Sequence, residues 1–282
     1  MWWGRAVEGE AQRHREVHEA EDLSTWQLHL EHAVYGSWVF PGTCPLDRVM
    51  VLSETESTQD AAMRLCDGKH GLVVIAGRQT KGRGRLGRMW ADTSHLGVAM
   101  TFVFDGKAYN DAHLSLAAGV AASKACGADI EPVHGIRMRW PNDVVEEGAP
   151  QRKIAGVLVE RTNGLALVGV GINVLQRDSD WPSELRERAV SLRRLGKKWT
   201  RLGVAQCLIA HMLSCLADTT RSLVDHWHCH DILIGTKRAF VHNNHQYFGL
   251  VLDIDPLNAI RLQLADGREV SLPAHSTSLV HE

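Results

Sequence analysis

The sequence predicts an α+β fold, in which a mixed β-sheet with flanking helices is followed by a small β-domain. Two observations support this prediction. Apolar runs of strand length often follow one another without an intervening helix, and short strands separated by turn signals occupy the C-terminal end. The 282 residues, 44% of them hydrophobic, can supply the core of one good-sized domain and a smaller one.

The chain divides into three parts. Residues 1–45 are polar with weak periodicity and are expected to form a partly disordered or helical N-terminal extension. Residues 46–232 carry the regular patterning of the main domain, and residues 233–282 form the small β-domain. The sequence contains no internal repeat and no low-complexity tract.

The elements of the main domain are predicted from apolar periodicity, caps and turn signals. They are a strand at 47–53, a helix that Ser57 or Thr58 caps and Gly68 ends, strands at 72–77 and 96–104, an Ala-rich helix at 111–127, strands in GIRMRW, KIAGVLVE and LALVGVGINV, and one long helix from about Leu202 to His226.

The last part of the chain changes character. The stretches KRAFVHN, YFGLVLDIDP, AIRLQLADG and EVSLPA have strand composition, and His-Asn-Asn, Asp-Pro and Asp-Gly turns separate them. This spacing predicts a small β-barrel or sandwich.

Composition excludes several classes of function. The net charge is -2 and the pI is near 6.8, so no global basic field would draw the chain onto nucleic acid or an anionic membrane. No apolar run approaches the roughly 20 residues of a membrane span, and the acidic, His-rich start does not resemble a signal peptide. We expect a cytoplasmic protein whose six scattered cysteines are reduced, buried thiols.

The stretch KGRGRLGRMW (81–90) has glycines at the G-x-G-x-x-G spacing of dinucleotide-binding loops. Such a loop must open a helix, whereas this one runs toward the strand at 96–104, and no G-K-[ST] follows for a phosphate-binding loop. Glycines allow a close backbone approach, and arginines give forked hydrogen bonds to carboxylate or phosphate. The loop is therefore interpreted as a dock for a small anion, with a solvated basic loop or an RGG-type nucleic-acid contact as the alternative.

Four other segments carry polar residues at strand ends, and each also has an ordinary structural explanation. In ESTQD the hydroxyls of Ser57 and Thr58 can bind a polar ligand or cap a helix. RWPNDVV places an Asn-Asp pair after a strand, where it could meet a hydrated metal or form a plain turn. Lys153 opens KIAGVLVE, and Asn173 lies within the apolar VGVGINV, where a buried amide needs a partner.

Taken in order, the motifs EST, RQTKGRGRLGRMW, RWPND, KIAGVLVE and VGVGIN, followed by a small β-domain, resemble the biotin protein ligases. The resemblance covers about residues 47–282, and the motifs are specific in combination although each is weak alone. It implies a class II synthetase-like catalytic domain with an SH3-like C-terminal barrel.

The resemblance also implies an activity. Such ligases join biotin to ATP, with Mg²⁺, to make biotinyl-5′-adenylate, and then pass biotin to one lysine of the biotin carboxyl carrier domain of a biotin-dependent carboxylase. No residues form a direct metal motif, but Asp143 could lie near Mg²⁺. By analogy the biotin-binding residues are Ser57, Thr58, Gln59, Gln79, Gly82, Arg83, Gly84, Arg85 and Lys153; the ATP-binding residues are Arg88, Trp90, Arg139, Asn142, Asp143 and Asn173; and the catalytic residues are Lys153 and Arg85.

Two positions depart from the common family pattern. Gln59 replaces the Asn of an S-T-N triplet, and Arg139 replaces the Lys that commonly precedes W-P-N-D. Both changes keep the type of functional group, but a guanidinium is not geometrically equivalent to an ammonium at a phosphate.

Bifunctional members of the family carry a DNA-binding helix-turn-helix before the catalytic domain. The first 45 residues lack two successive amphipathic helices and are acidic where a recognition helix would be basic, so we expect a ligase that does not bind DNA. A homodimer remains open. The alternatives are a lipoate or octanoate ligase of the same fold and a non-catalytic ligand-sensing module.

The stretch DHWHCHD (225–231) has the composition of a metal site. Tetrahedral zinc sites usually draw ligands at wider spacing and from more than one segment, so packing of Trp227 is the favoured interpretation.

Overall fold

A computed structural model describes residues 23–35, 44–91, 95–128, 135–196 and 198–280. Most of the predicted extension at 1–45 lies outside these residues. In the described part of the chain, no helix has the length and apolar character needed to cross a bilayer.

The larger sheet has seven strands in the order β1-β2-β3-β7-β6-β5-β4. The β1–β2 pair is parallel and the other pairs are antiparallel, which confirms the predicted mixed sheet. Its strands are β1 (Arg48–Leu52), β2 (Leu72–Ala76), β3 (Gly97–Asp105), β4 (Ile136–Arg139), β5 (Asp143–Glu146), β6 (Lys153–Thr162) and β7 (Leu165–Asn173).

Helices cover both faces of this sheet, which is why the apolar runs of β2 and β3 are buried throughout most of their length. On one face a short helix packs with Leu72, Val74 and Val103, and the large core lies on the other face. The helices are α1 (Leu23–Tyr35), α2 (Thr58–Leu65), α3 (Asp111–Ala125), α4 (Arg201–Ala217) and α5 (Thr220–His230).

Helix α1 lies within the predicted extension and packs on the sheet domain. Its buried residues Trp26, Leu30 and Val34 recur every four positions, so they form one apolar face. The Trp26 ring lies 5.0 Å from the guanidinium of Arg201 in α4. The boundary at residue 45 stays a prediction, but this helix shares the core of the main domain.

The predicted long helix from Leu202 to His226 is wrong, because the segment forms two helices. Asp218 is extended, and the Thr219 side chain caps the second helix by accepting a hydrogen bond from the Ser222 amide at 3.1 Å. The patterns also missed β5 and the last strand of the chain. Of the six cysteines, none is paired in a disulfide, and Cys229 is exposed instead of buried.

The smaller sheet is antiparallel, with the order β11-β10-β9-β8-β12. It consists of β8 (Lys237–His242), β9 (His245–Asp255), β10 (Ala259–Leu264), β11 (Glu269–Pro273) and β12 (Thr277–Leu279). Its two edge strands are not paired with each other, so the sheet is not closed into a barrel. Phe240 of β8 is buried edge-to-face against Trp140, with ring centroids 6.3 Å apart, and this contact joins the smaller sheet to the larger one.

Candidate active site

A cavity of about 460 Å³ lies between the larger sheet, the glycine-rich loop and the edge of the smaller sheet. Strands β4 to β7 and the start of α2 bring the predicted residues to this one place. Of the predicted site residues, the cavity wall contains Ser57, Thr58, Gln59, Gln79, Arg83, Gly84, Arg85, Arg88, Trp90, Arg139, Asn142, Asp143, Lys153 and Asn173. Gly82, at the start of the glycine-rich loop, is not part of the wall.

One end of the cavity carries neutral hydrogen-bonding groups. The side-chain oxygen of Gln79 accepts hydrogen bonds from the amide of Thr58 at 2.8 Å and from its hydroxyl at 3.0 Å. Gln59 donates its amide to the carbonyl of Leu158 at 3.0 Å, and its buried side-chain oxygen has no hydrogen-bond partner. An unsatisfied buried acceptor is costly, so this end is prepared for a ligand with N–H donors.

Ser57 has a structural role at the same end. Its backbone is extended, and its hydroxyl oxygen accepts a hydrogen bond from the Gln59 amide at 3.2 Å, so it is the N-cap of α2. Of the two capping residues the sequence allowed, Ser57 is the one used. The cap holds Thr58 and Gln59 at the first turn of a helix, where their side chains face the cavity.

The other end of the cavity is charged. The carboxylate of Asp143 contacts the Lys153 ammonium at 2.6 Å and the Arg139 guanidinium at 3.1 Å. Burial acts to raise the pKa of Asp143, but the two cations outweigh it and lower this pKa to about 2. Arg139 and Asp143 are cross-strand partners in the β4–β5 hairpin, so strand register fixes their ion pair.

The glycine-rich loop folds back on itself over the cavity. The Trp90 amide donates to the carbonyl of Gly82 at 2.9 Å, and the Gly84 amide donates to the carbonyl of Arg88 at 2.8 Å. A Cβ at Gly82 would lie 2.7 Å from the Trp90 carbonyl oxygen, so only glycine fits there. We call residues 82–90 the lid. No helix other than a single 3-10 turn at Arg85–Gly87 forms in it, which agrees with the rejection of a dinucleotide fingerprint.

Arg85 is the lid cation that reaches inward. Its guanidinium donates to the backbone carbonyl of Ala274, in the turn between β11 and β12, and lies 3.5 Å from the side-chain oxygen of Asn142. Burial lowers the pKa of Arg85, with the Asp143 charge acting in the opposite direction. Arginine still stays protonated, so Arg85 brings a partly desolvated positive charge to the cavity.

Trp90 lies against two glycines that are cross-strand partners, Gly156 of β6 and Gly171 of β7. A Cβ at Gly171 would come within 2.5 Å of the indole, and one at Gly156 would meet the same ring at 3.5 Å. The Lys153 ammonium is 5.6 Å from the ring centroid. The glycines therefore make a flat floor on which a large aromatic surface rests.

The two asparagines both hold backbone groups of β6. Asn142 donates its side-chain amide to the carbonyl of Val157, and Asn173 donates to the carbonyl of Lys153 at 3.1 Å. Both side chains are buried. Their amides thus fix the strand that carries Lys153, while their remaining groups face the cavity.

The wall also contains residues outside all the predicted motifs, among them Trp181, Leu185, Arg188, Ser278 and Leu279. The segment 188–190 pairs with Lys153 through backbone hydrogen bonds, which brings Arg188 beside the cavity. No motif marks any of these residues. The only available signal was the arginine-rich composition of the segment after β7.

The DHWHCHD stretch lies at the end of α5, and its tryptophan is part of the core. His226 and His230 stack with centroids 4.3 Å apart on one face of α5, and Trp227 is fully buried. Within the described ranges, no group of three or more His, Cys, Asp or Glu side chains could hold a metal ion. The burial of Trp227 fits the packing interpretation, and the absence of a metal from this stretch stays a prediction.

The donor set of the cavity also limits how Mg²⁺ could be held. Both Asp143 oxygens already contact cations, so this carboxylate offers at most one ligand position. Mg²⁺ commonly keeps several waters and takes one or two carboxylates plus substrate phosphates. The residues fit a magnesium ion that enters with ATP better than one held by protein ligands alone.

Comparisons with known proteins identify the family of the chain. Residues 49–176 match the model of the biotin/lipoate A/B protein ligase family. The bifunctional ligase/repressor BirA of Bacillus subtilis is 32% identical over 232 residues, covering 75% of this chain and 68% of the relative. The biotin--[acetyl-CoA-carboxylase] ligase of Mycobacterium tuberculosis is 37% identical over 153 residues, covering 52% of this chain and 55% of the relative.

Among solved structures, a biotin protein ligase from Aquifex aeolicus in complex with biotin and ATP superposes with a TM-score of 0.72. It is 26% identical, and the match covers 84% of this chain and all of that one. The fold, the motifs and the relatives agree, and the chain belongs to the biotin protein ligases of the biotin/lipoate A/B protein ligase family.

Proposed function

We propose that this chain activates biotin with ATP to biotinyl-5′-adenylate and then transfers the biotinyl group to a lysine of a biotin carboxyl carrier domain. The observation that carries this proposal is that the two ends of the cavity differ, one being neutral and the other positively charged. Its first end offers neutral amides and hydroxyls, and its second end offers the cations Lys153, Arg139 and Arg85. Biotin has the same division, a neutral ureido ring and an anionic carboxylate.

The neutral end suits the ureido ring. Thr58 and Gln59 lie at the start of α2 with their polar groups toward the cavity, and the free oxygen of Gln59 can accept an N–H from the ring. A buried site that hydrogen-bonds its ligand rejects analogues that leave its groups unpaired. Gln59 therefore contributes to selection of biotin over lipoate or octanoate, neither of which has a ureido group.

The charged end suits adenylation. A carboxylate must approach the α-phosphorus of a polyanion, and cations fixed at that point lower the repulsion and stabilise the charge that develops on the leaving pyrophosphate. Asp143 holds the Lys153 ammonium at 2.6 Å, so Lys153 is oriented before the substrates arrive. Mg²⁺ bound to the ATP phosphates supplies further positive charge when it is present.

The nucleotide would stack on the indole of Trp90, which itself lies on the floor formed by Gly156 and Gly171. Trp90 covers this floor, and its indole offers a face for adenine, with Asn173 at the adjoining strand end. Arg88, which is exposed on the lid, is placed to meet the phosphates.

The lid protects the product of the first step. A mixed anhydride hydrolyses readily, so a loop that excludes water raises the fraction that reaches the acceptor. We propose that the main chain of Gly82 to Gly84 lies over the intermediate and that Arg85 binds the adenylate. In the second step the acceptor lysine, once deprotonated, attacks the acyl carbon, and AMP leaves.

Several finer features complete the proposal. The five antiparallel strands at the C-terminus support an SH3-like domain that closes one side of the cavity through Ser278 and Leu279. We also propose a cytoplasmic ligase that does not repress transcription, because the segment 1–22 is acidic where DNA contacts would need cations. Homodimer formation is compatible with this activity but no contact carries it.

Two assays test the function. The first measures pyrophosphate release from ATP with biotin, lipoate or octanoate, and the second measures biotin transfer to a purified carrier domain. We expect release and transfer with biotin only. Lys153→Ala and Arg85→Ala should each lower the adenylation rate by about 10²- to 10³-fold, the usual cost of one preorganised charge-stabilising group. Activity with lipoate but not biotin, or ligand binding without pyrophosphate release, would contradict the proposal.

A further inference from the structure

Two cations that precede the lid, Arg78 and Lys81, form ion pairs outside the cavity wall. Arg78 pairs with Glu54 at 3.0 Å, and Lys81 pairs with Glu56 at 2.7 Å. Both acidic partners lie in the turn that leads from β1 into α2. The segment that enters the lid is therefore held by charge along one side.

Arg83 makes the most extensive of these contacts. Its guanidinium donates to both oxygens of Asp60, at 2.7 and 2.9 Å, and to Glu160 at 3.1 Å. Asp60 is in the first turn of α2, and Glu160 is near the far end of β6 from Lys153. One lid side chain thus binds two separate elements of the cavity wall.

The backbone connects this contact to the rest of the lid. Arg83 pairs with Met89 across the folded loop, and the neighbouring Gly82 accepts the hydrogen bond from the Trp90 amide. Arg85 is two residues further along and faces inward. Fixing the Arg83 side chain against Asp60 and Glu160 therefore fixes both branches of the lid, and with them the inward positions of Arg85 and Trp90.

We propose that Asp60 and Glu160 are positioning residues that hold the lid closed through Arg83, and so set how long biotinyl-5′-adenylate stays on the enzyme. This assignment rests on the proposed function. It also gives Arg83 a different role from direct biotin binding, because the hydrogen bonds of its guanidinium go to these two carboxylates.

The contact is more than an ordinary surface pair. An isolated exposed ion pair contributes little, because water and salt screen it and two long side chains must be ordered. Here one guanidinium makes three charge-assisted hydrogen bonds to carboxylates on two separately anchored elements, including a two-pronged contact with Asp60. Each side chain is only about 40% exposed.

The test uses full-length protein loaded with radiolabelled biotinyl-5′-adenylate and then chased with unlabelled ligand. The variants are Asp60→Asn, Glu160→Gln, the double variant and Arg83→Lys. The matched control is Asp266→Asn, which removes a 2.6 Å exposed pair with Arg268 in the β10–β11 turn. Release is measured at about 0.1 M and at about 1 M salt, where the screening length falls from about 10 to about 3 Å. Labelling of lysines on a bystander protein gives a second readout of release.

We expect the double variant to release adenylate about 10-fold faster than native protein at low salt, and the single variants and Arg83→Lys about 3-fold faster, while Asp266→Asn matches native protein. At high salt, release from native protein should approach that of the double variant. Equal release from native and double-variant protein at low salt would overturn the assignment. The assignment would also be overturned if the double variant released adenylate faster but release from native protein did not change with salt, because that pattern indicates a damaged start of α2. Failure of native protein to form adenylate would instead overturn the proposed function, and the assignment with it.

Discussion

Asp143 is a carboxylate that two cations keep ionised inside the cavity wall. Its pKa of about 2 is below the ordinary value of 3.8, so its ionised form stabilises the folded state at any pH above about 4, and this contribution is lost as pH falls toward 2. The shift corresponds to roughly 2 kcal/mol. We expect the unfolding free energy of both native protein and Asp143→Asn to fall between pH 4 and pH 2. The decrease should be larger in native protein by this amount, as measured by urea denaturation. An equal pH dependence of the unfolding free energy in the two proteins would contradict this role of Asp143.

Gly171 is needed because the Trp90 indole occupies the space of its missing side chain. In Gly171→Ala the new methyl group would lie 2.5 Å from the ring, so Trp90 must move. We expect the KM for ATP in pyrophosphate release to rise about 10-fold or more, with little change for biotin.

A double variant separates this mechanism from a general disturbance of β7. If Gly171 acts through the indole, Trp90→Ala with Gly171→Ala should have the same KM for ATP as Trp90→Ala alone. A further increase in the double variant would mean that the methyl group damages the strand itself.

At this scale the sequence predicted residue types better than contacts. Lys153, Asp143 and Arg139 were identified by motif, but their mutual ion pairs depend on β5, a strand that the pattern of apolar residues did not reveal. Arg188 could not be predicted at all, because it reaches the cavity through backbone pairing of an irregular segment with Lys153. Such pairing leaves no periodic signal in the sequence.

Helix α1 is the element whose contribution to the domain is least evident from its sequence. Trp26 is 1% exposed and packs on Arg201, whose guanidinium donates to the carbonyl of Gly97 at 2.7 Å and to that of Gly77 at 3.1 Å. Truncation of Trp26 to alanine should lower the free energy of unfolding by about 3–5 kcal/mol, the usual effect of truncating a large aromatic residue in a core. Thermal unfolding of Trp26→Ala measures this loss.

The same helix provides the control. Leu28 is 71% exposed, so Leu28→Ala should change the unfolding free energy by less than about 0.5 kcal/mol. If both variants unfold at the native temperature, α1 does not belong to the cooperative unit of the main domain.

Elements with a clear apolar pattern were predictable, whereas β5, β12 and the break between α4 and α5 were not. The strands β2, β3, β6 and β7 are apolar runs, and the structure has them at the predicted places. The four-residue β5 follows a turn that contains Pro and Asn, and its sequence pattern predicts a loop. The break between α4 and α5 is set by a single cap at Thr219, a local hydrogen bond that apolar periodicity does not register.

At the scale of the whole molecule, the two sheets form one site. Phe240 is fully buried against Trp140, and the turn between β11 and β12 supplies the Ala274 carbonyl that Arg85 contacts. We expect Phe240→Ala to destabilise the protein by about 3–5 kcal/mol and to slow adenylation by loosening this contact. Calorimetry and pyrophosphate release measure the two effects.

Phe248 of the same sheet is the matched control, because it is 55% exposed. Phe248→Ala should leave both the unfolding temperature and the adenylation rate near native values. Slow adenylation in Phe248→Ala as well would mean that any change in the smaller sheet disturbs the cavity. The arrangement of two sheets was predictable from turn spacing, whereas the contact between them depends on single aromatic residues.

Four consecutive residues at the start of α2 have different roles. Ser57 caps the helix, Thr58 and Gln59 line the neutral end of the cavity, and Asp60 holds Arg83. One inserted or deleted residue would rotate every later position by about 100° and shift it by about 1.5 Å along the helix axis. Evolution of new ligand specificity in this chain is therefore expected to proceed by substitution within this turn and to tolerate no change in its length.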